Sequence, residues 1–217
     1  MTTSPRKVQE FVSKLTPNAT VLDVVGGKYP RLTATHVIDF LPYEKSAHFL
    51  DRAHGEGDPH FSADTWFQCN IDHEPLPFED DAFDFVFCTH TLEDIANPQF
   101  ALSEISRVGK AGFCETPSIL WELIMGIQLD TIVGAPHHKW YVEVDKDANE
   151  FIFTPKGGHC YLSPEHHLPR EMSDAITDEN ACVGLFWEGS ISLRTNLMID
   201  YVENVEWLKA KVKELKS

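Results

Sequence analysis

The residues able to do chemistry in this 217-residue sequence fall into two groups. The first surrounds His90. A largely apolar run, Phe83-Asp84-Phe85-Val86-Phe87-Cys88, ends in Thr89-His90, with Glu93 just beyond it and Glu115 at the end of the next such run. Imidazole titrates near neutrality, so His90 is a candidate general base; the competing reading is a histidine that orders its loop. Glu93 suits support of the following loop, and Glu115 either a surface position or contact with a cationic or hydroxyl-bearing substrate. The second group is His137-His138 with Trp140, then His159-Cys160 and His166-His167. Imidazoles and a thiolate can ligate Zn²⁺ or Fe²⁺. They can equally form a substrate wall, or be ordinary loop histidines. No HxxxH or CxxC spacing occurs, so no metal ligand is assigned. In this group His138 is the catalytic candidate.

Elements must bring these side chains to one place. Val8, Phe11, Val12 and Leu15 follow Ser4-Pro5 with the spacing of a capped helix. Residues 20–25, 36–40, 65–71, 83–88 and 113–115 read as strands, too continuously apolar for simple alternation, as in a parallel sheet covered on both faces. Residues 51–64 lack a period and read as loop. Asn97-Pro98 opens a helix with Ala101, Leu102, Ile105 and Val108 on one face, and Ser118 caps another helix. Alternating strands and helices predict an α/β fold: a Rossmann-like, doubly wound, mostly parallel sheet. After residue 134, Trp140–Val144 and Glu150–Thr154 read as a β-hairpin, Leu185–Trp187 and Ser190–Met198 as a second antiparallel pair, and a helix starts near Val202. The expected division is a core over 1–134 and, within the same domain, an elaboration over 135–217 that covers the active site.

Composition excludes several classes. The formal charge of −16 disfavours nucleic acid and anionic membrane surfaces as partners. No apolar run approaches the roughly 20 residues of a membrane span, and the longest, near residues 119–127, is interrupted by Trp121-Glu122. Five scattered cysteines and no signal-like start point to a cytoplasmic protein with reduced thiols.

The order of features along residues 19–118 resembles the cofactor domain of class I S-adenosylmethionine (SAM)-dependent methyltransferases, in particular the type 11 small-molecule branch. The resemblance rests on Val21-Leu22-Asp23-Val24-Val25-Gly26-Gly27, on Asp39 sixteen residues after Asp23, on Ile71-Asp72 before Leu76-Pro77-Phe78, and on the Phe83–Glu93 run. The family's loop carries three alternating glycines; Gly27 matches the middle one, while Val25 and Tyr29 replace the outer two. Gly26-Gly27 still allow a tight turn and close backbone approach to a ligand. The resemblance implies SAM as cofactor. It implies a loop role for Asp23, Gly26 and Gly27, ribose recognition by Asp39, adenine contacts from Ile71 and Asp72, and a cofactor-facing strand end at Thr89. The implied function is methyl transfer to a small-molecule acceptor, with His90 or His138 as catalytic residue. Two alternatives remain: an inactive methyltransferase-like binding or regulatory subunit, favoured by Val25 and Tyr29, and a metal-binding protein built on the His-rich segment.

Overall fold

The computed structural model describes residues 6–25, 30–46, 57–197 and 200–217. Gly26, Gly27 and Tyr29 lie outside the described residues. The backbone forms two compact units. One comprises the chain up to Glu115 together with Gly184–Ser192; the other comprises Thr116–Val183 and Leu193–Ser217.

The first unit is built on a six-stranded sheet. Strands β1 (Val21–Val24), β2 (His36–Asp39), β3 (Trp66–Gln68), β4 (Phe85–Thr89) and β5 (Ala111–Pro117) are joined by β8 (Cys182–Glu188) in the order β3-β2-β1-β4-β5-β8. All resolved pairings among β1–β5 are parallel: Asp23 lies beside Val37 and Phe87, and Cys88 beside Cys114. The order reverses between β1 and β4, which is where doubly wound folds open a ligand crevice at the carboxyl ends of the strands.

Burial explains the continuous apolar character of these strands. Val24, Val37, Phe85 and Val86 are wholly or nearly wholly shielded from solvent. Helix α1 (Arg6–Val12) packs on one face through Val8, against Val21, Val37, Phe85 and Phe113, with Phe11 and Phe186 alongside. A single turn, α2 (Tyr43–Ser46), follows β2. Helix α3 (Pro98–Val108) starts as expected: Asn97 accepts a hydrogen bond from Phe100 N at 3.2 Å, Pro98 occupies the first turn, and Ala101, Leu102, Ile105 and Val108 are buried. An asparagine cap of this kind contributes about 1 kcal/mol.

In the second unit the helix capped by Ser118, α4 (Ile119–Glu122), is a single turn rather than the longer helix expected. Strands β6 (Trp140–Asp145) and β7 (Glu150–Pro155) form the expected antiparallel hairpin, and β9 (Ser192–Thr195) completes a three-stranded sheet in the order β6-β7-β9. Helix α5 (Tyr201–Leu215) begins where Asp200 accepts from Glu203 N at 3.0 Å. Its Leu208 and Val212 join a core with Leu123, Ile124, Val133, Tyr141 and Leu168.

Two expectations change. Leu185–Trp187 and Ser190–Met198 do not pair: β8 enters the six-stranded sheet and β9 the three-stranded one. The cause is visible at Gly112, where any Cβ would lie 2.6 Å from the Trp187 ring, so β8 packs its indole directly on the β5 backbone. The division expected at residue 134 falls at Glu115/Thr116 instead, with Gly184–Ser192 returned to the first unit.

Candidate active site

At the carboxyl end of β1 and β4 the first unit opens a cavity of about 250 Å³. Its wall includes Val25, Phe40, Ile71, Asp72, His90 and Thr91. A second hollow of about 340 Å³, with Gln68 and Glu74, shares Phe40, Cys69 and Asn70 with it. Flat apolar side chains with a few polar groups suit a purine nucleoside.

The local sequence fixes these positions. Val25 leaves β1 at φ 58°, with its N–H donating to Ile38 O at 2.6 Å. A left-handed conformation is what a glycine at this loop position would adopt, so Val25 supplies the turn despite its branched side chain. Asp39 closes β2. It is fully buried, and its Oδ1 accepts from Leu41 N at 2.7 Å. The turn held in this way leaves the next residue, Phe40, 61% exposed and on the cavity wall. Asp72 lines the cavity while its Oδ1 accepts from Ala96 N at 2.6 Å and Asn97 N at 3.0 Å, tying the adenine-side loop to the start of α3. Buried Ile71 lines the wall beside it.

His90 also takes a left-handed backbone, φ 54°, where its N–H donates to Glu115 O at 2.9 Å. Its ring lies between two buried acids, with Nδ1 3.9 Å from Glu93 Oε1 and Nε2 3.9 Å from Glu115 Oε1. Asp23 sits inside β1, 3% exposed, and its Oδ2 accepts from Arg31 N at 2.7 Å. Burial pushes its carboxyl above the usual carboxylate range, and the nearby Arg31 charge opposes that rise. Thr89 ends β4, but among the described residues His90 and Thr91 form the wall.

The structure thus brings Ile71, Asp72 and His90 to one cavity and sets Asp23 and Asp39 just behind it. Sequence reasoning missed Phe40. Its only signal was an aromatic following the acid that ends β2.

The second unit holds its own polar centre. His138 Nδ1 meets Glu122 Oε1, and Lys156 Nζ meets Glu122 Oε2 as well as Ala135 O at 2.7 Å. The three side chains are 8%, 1% and 6% exposed. The carboxylate can only accept, so the imidazole donates through Nδ1 and is held in one orientation. Glu122 and Lys156 escaped sequence reasoning; the trace they left is a charged residue interrupting the longest apolar run. The remaining histidines fasten turns, His166 Nδ1 donating to His159 O and His167 Nδ1 to Cys160 O, both at 2.8 Å.

With this geometry established, comparison with known proteins is informative. A family model described as a methyltransferase domain matches residues 22–113. No curated protein sequence matches. Among solved structures, the YcgJ protein of Bacillus subtilis is similar at 18% identity and TM-score 0.39 over 52% of this chain and 50% of that one. A SAM-dependent methyltransferase of Thermotoga maritima is similar at 19% identity and TM-score 0.35, over 51% and 50%. A chain in the complex of the Haloferax volcanii Trm112 methyltransferase activator with a methyltransferase shares 14% identity, with TM-score 0.46, over 84% and 88%. The chain spans about half the length of the first two. Family match and strand order together identify a class I SAM-dependent methyltransferase domain, and the cofactor this implies is SAM.

Proposed function

We propose that the chain is an enzyme transferring a methyl group from SAM to a small-molecule acceptor. The observation that carries this reading is the cavity at the β1–β4 switch point, walled by Phe40, Ile71 and Asp72 and flanked by His90. Phe40 and Ile71 would hold the adenine between apolar surfaces, with Asp72 facing its polar edge and Asp39 next to the ribose. When bound, SAM supplies an electrophilic methyl carbon on an already activated sulfur.

The chain's own contribution is then mainly positioning. His90 takes a proton from an acceptor hydroxyl or amine, and Glu93 and Glu115 stabilise the imidazolium so formed. Their acidic surroundings favour a neutral or cationic acceptor over an anionic one. In the second unit, Glu122 fixes the tautomer of His138 with Nε2 as its basic atom, which makes His138 the second candidate base.

Thermal denaturation tests the reading. S-adenosylhomocysteine or SAM at about a hundred times its dissociation constant should stabilise the chain by about 2.7 kcal/mol. Asp39→Ala should reduce that shift. No shift at millimolar ligand overturns the proposal. A second reading, an inactive binding or regulatory subunit, is favoured by one observation: the Val25 side chain lines the cavity where the family's loop has a glycine. SAM turnover with any acceptor removes it.

A further inference from the structure

We infer that Arg31 and Asp23 together form a receptor for the zwitterionic amino-acid end of the cofactor, Arg31 for its carboxylate and Asp23 for its ammonium. The inference rests on the reading of the chain as a SAM-dependent methyltransferase.

Four observations converge on Arg31. Its guanidinium carbon stands 4.1 Å above the centre of the Phe87 ring. Phe87 is the register partner of Asp23 across β1 and β4, so the guanidinium lies beside the Asp23 carboxylate. The chain returns to the strand it has just left, with Arg31 N donating to Asp23 Oδ2 at 2.7 Å. Finally, Arg31 Nε is buried and makes no hydrogen bond to any described group. A guanidinium is a planar fork of five donors shaped for a carboxylate. An unfilled buried donor carries a desolvation cost that an acceptor would remove.

The location is as informative as the chemistry. Asp23 lies two residues before Val25, which lines the nucleoside cavity. A ligand with its base against Phe40 and Ile71 therefore directs its other end toward the acid and base at β1. A zwitterion places one charge on each member of the Asp23/Arg31 pair. No net charge is buried, and the Asp23 carboxylate, which burial disfavours, gains a second cation. The pair selects adenosyl ligands that carry an α-amino acid over those that lack one.

Calorimetric titration of the purified chain with S-adenosylhomocysteine and with 5′-methylthioadenosine, which lacks the amino-acid end, tests this without any methyl acceptor. The native chain should prefer S-adenosylhomocysteine. Arg31→Met should weaken S-adenosylhomocysteine by about ten- to a hundred-fold, the value of a charge-assisted contact, while leaving 5′-methylthioadenosine essentially unchanged. Asp23→Asn should show the same selectivity. The unchanged methylthioadenosine affinity reports that each variant is folded, and Arg31→Lys, which keeps the charge and loses the fork, should fall between. Equal loss for both ligands makes Arg31 a loop-organising residue and overturns the inference; so does an unaltered S-adenosylhomocysteine affinity. A native chain binding both ligands equally removes this inference and leaves the cofactor reading standing. A native chain binding neither removes both.

Discussion

Val25 takes a backbone conformation that costs an L-residue roughly 1–2 kcal/mol and costs a branched one more. Val25→Gly removes that strain while adding conformational entropy to the unfolded chain, about 0.5–1 kcal/mol. The expected balance is a slightly more stable chain, read from urea unfolding, and a roomier cavity. His36 gives a second residue-scale expectation. Its ring contacts Phe67, Phe78 and Phe83, and burial pushes its titration below the usual 6.5. The unfolded chain therefore binds the proton more readily. Stability is whole above about pH 6.5 and declines as the pH falls toward the folded-state value. His36→Phe should flatten that part of the stability–pH curve. Asp23 acts in the opposite sense, because burial raises its carboxyl. At this scale the sequence was legible where type and position coincide, as for Ile71, Asp72 and His90. It was silent on Phe40 and Arg31, whose roles come from a turn and a loop returning onto β1 rather than from residue spacing.

Elements set the next limits. Glu122 is held from two sides, by Lys156 and His138, in a nearly dry environment. Lys156→Met should destabilise the chain by about 3–5 kcal/mol, because it leaves a buried carboxylate short of a cation. Changing Glu122 to Leu in the same chain should recover a large part of that loss; equal losses in the single and double variants would count against the ion pair as the cause. Gly112 is a second such point. A methyl group there would meet Val86 O at 2.5 Å and the Trp187 ring at 2.6 Å. Gly112→Ala should cost about 1–3 kcal/mol by overpacking, measured by urea or thermal unfolding. The parallel strands, the Asn97 cap and the β6–β7 hairpin were legible because pattern and capping chemistry agree. The fate of β8 was not: an apolar strand carries no label naming its neighbour, and nearness in sequence suggested β9. Only the fit of Trp187 over Gly112 assigns it to the sheet containing β5.

For the molecule as a whole the dominant number is the formal charge of −16. Self-repulsion of that size works against the folded state. Raising ionic strength from about 0.01 to about 1 M shortens the screening length from roughly 30 to 3 Å and should raise the melting temperature; a fall would show that exposed ion pairs such as Arg170–Asp130 outweigh the repulsion. The α/β architecture was readable at this scale because six strands and their helices leave periodic traces. The boundary between the units was not, because the first unit takes two separate stretches of chain. That arrangement has a consequence for biosynthesis. When the ribosome has released Glu115, the sheet still lacks the strand that lays Trp187 over Gly112. At roughly 5–20 residues per second, several seconds of translation through Thr116–Val183 separate the first five strands from the sixth. During that interval the nascent chain presents an open sheet margin along β5, a natural point of engagement for a chaperone.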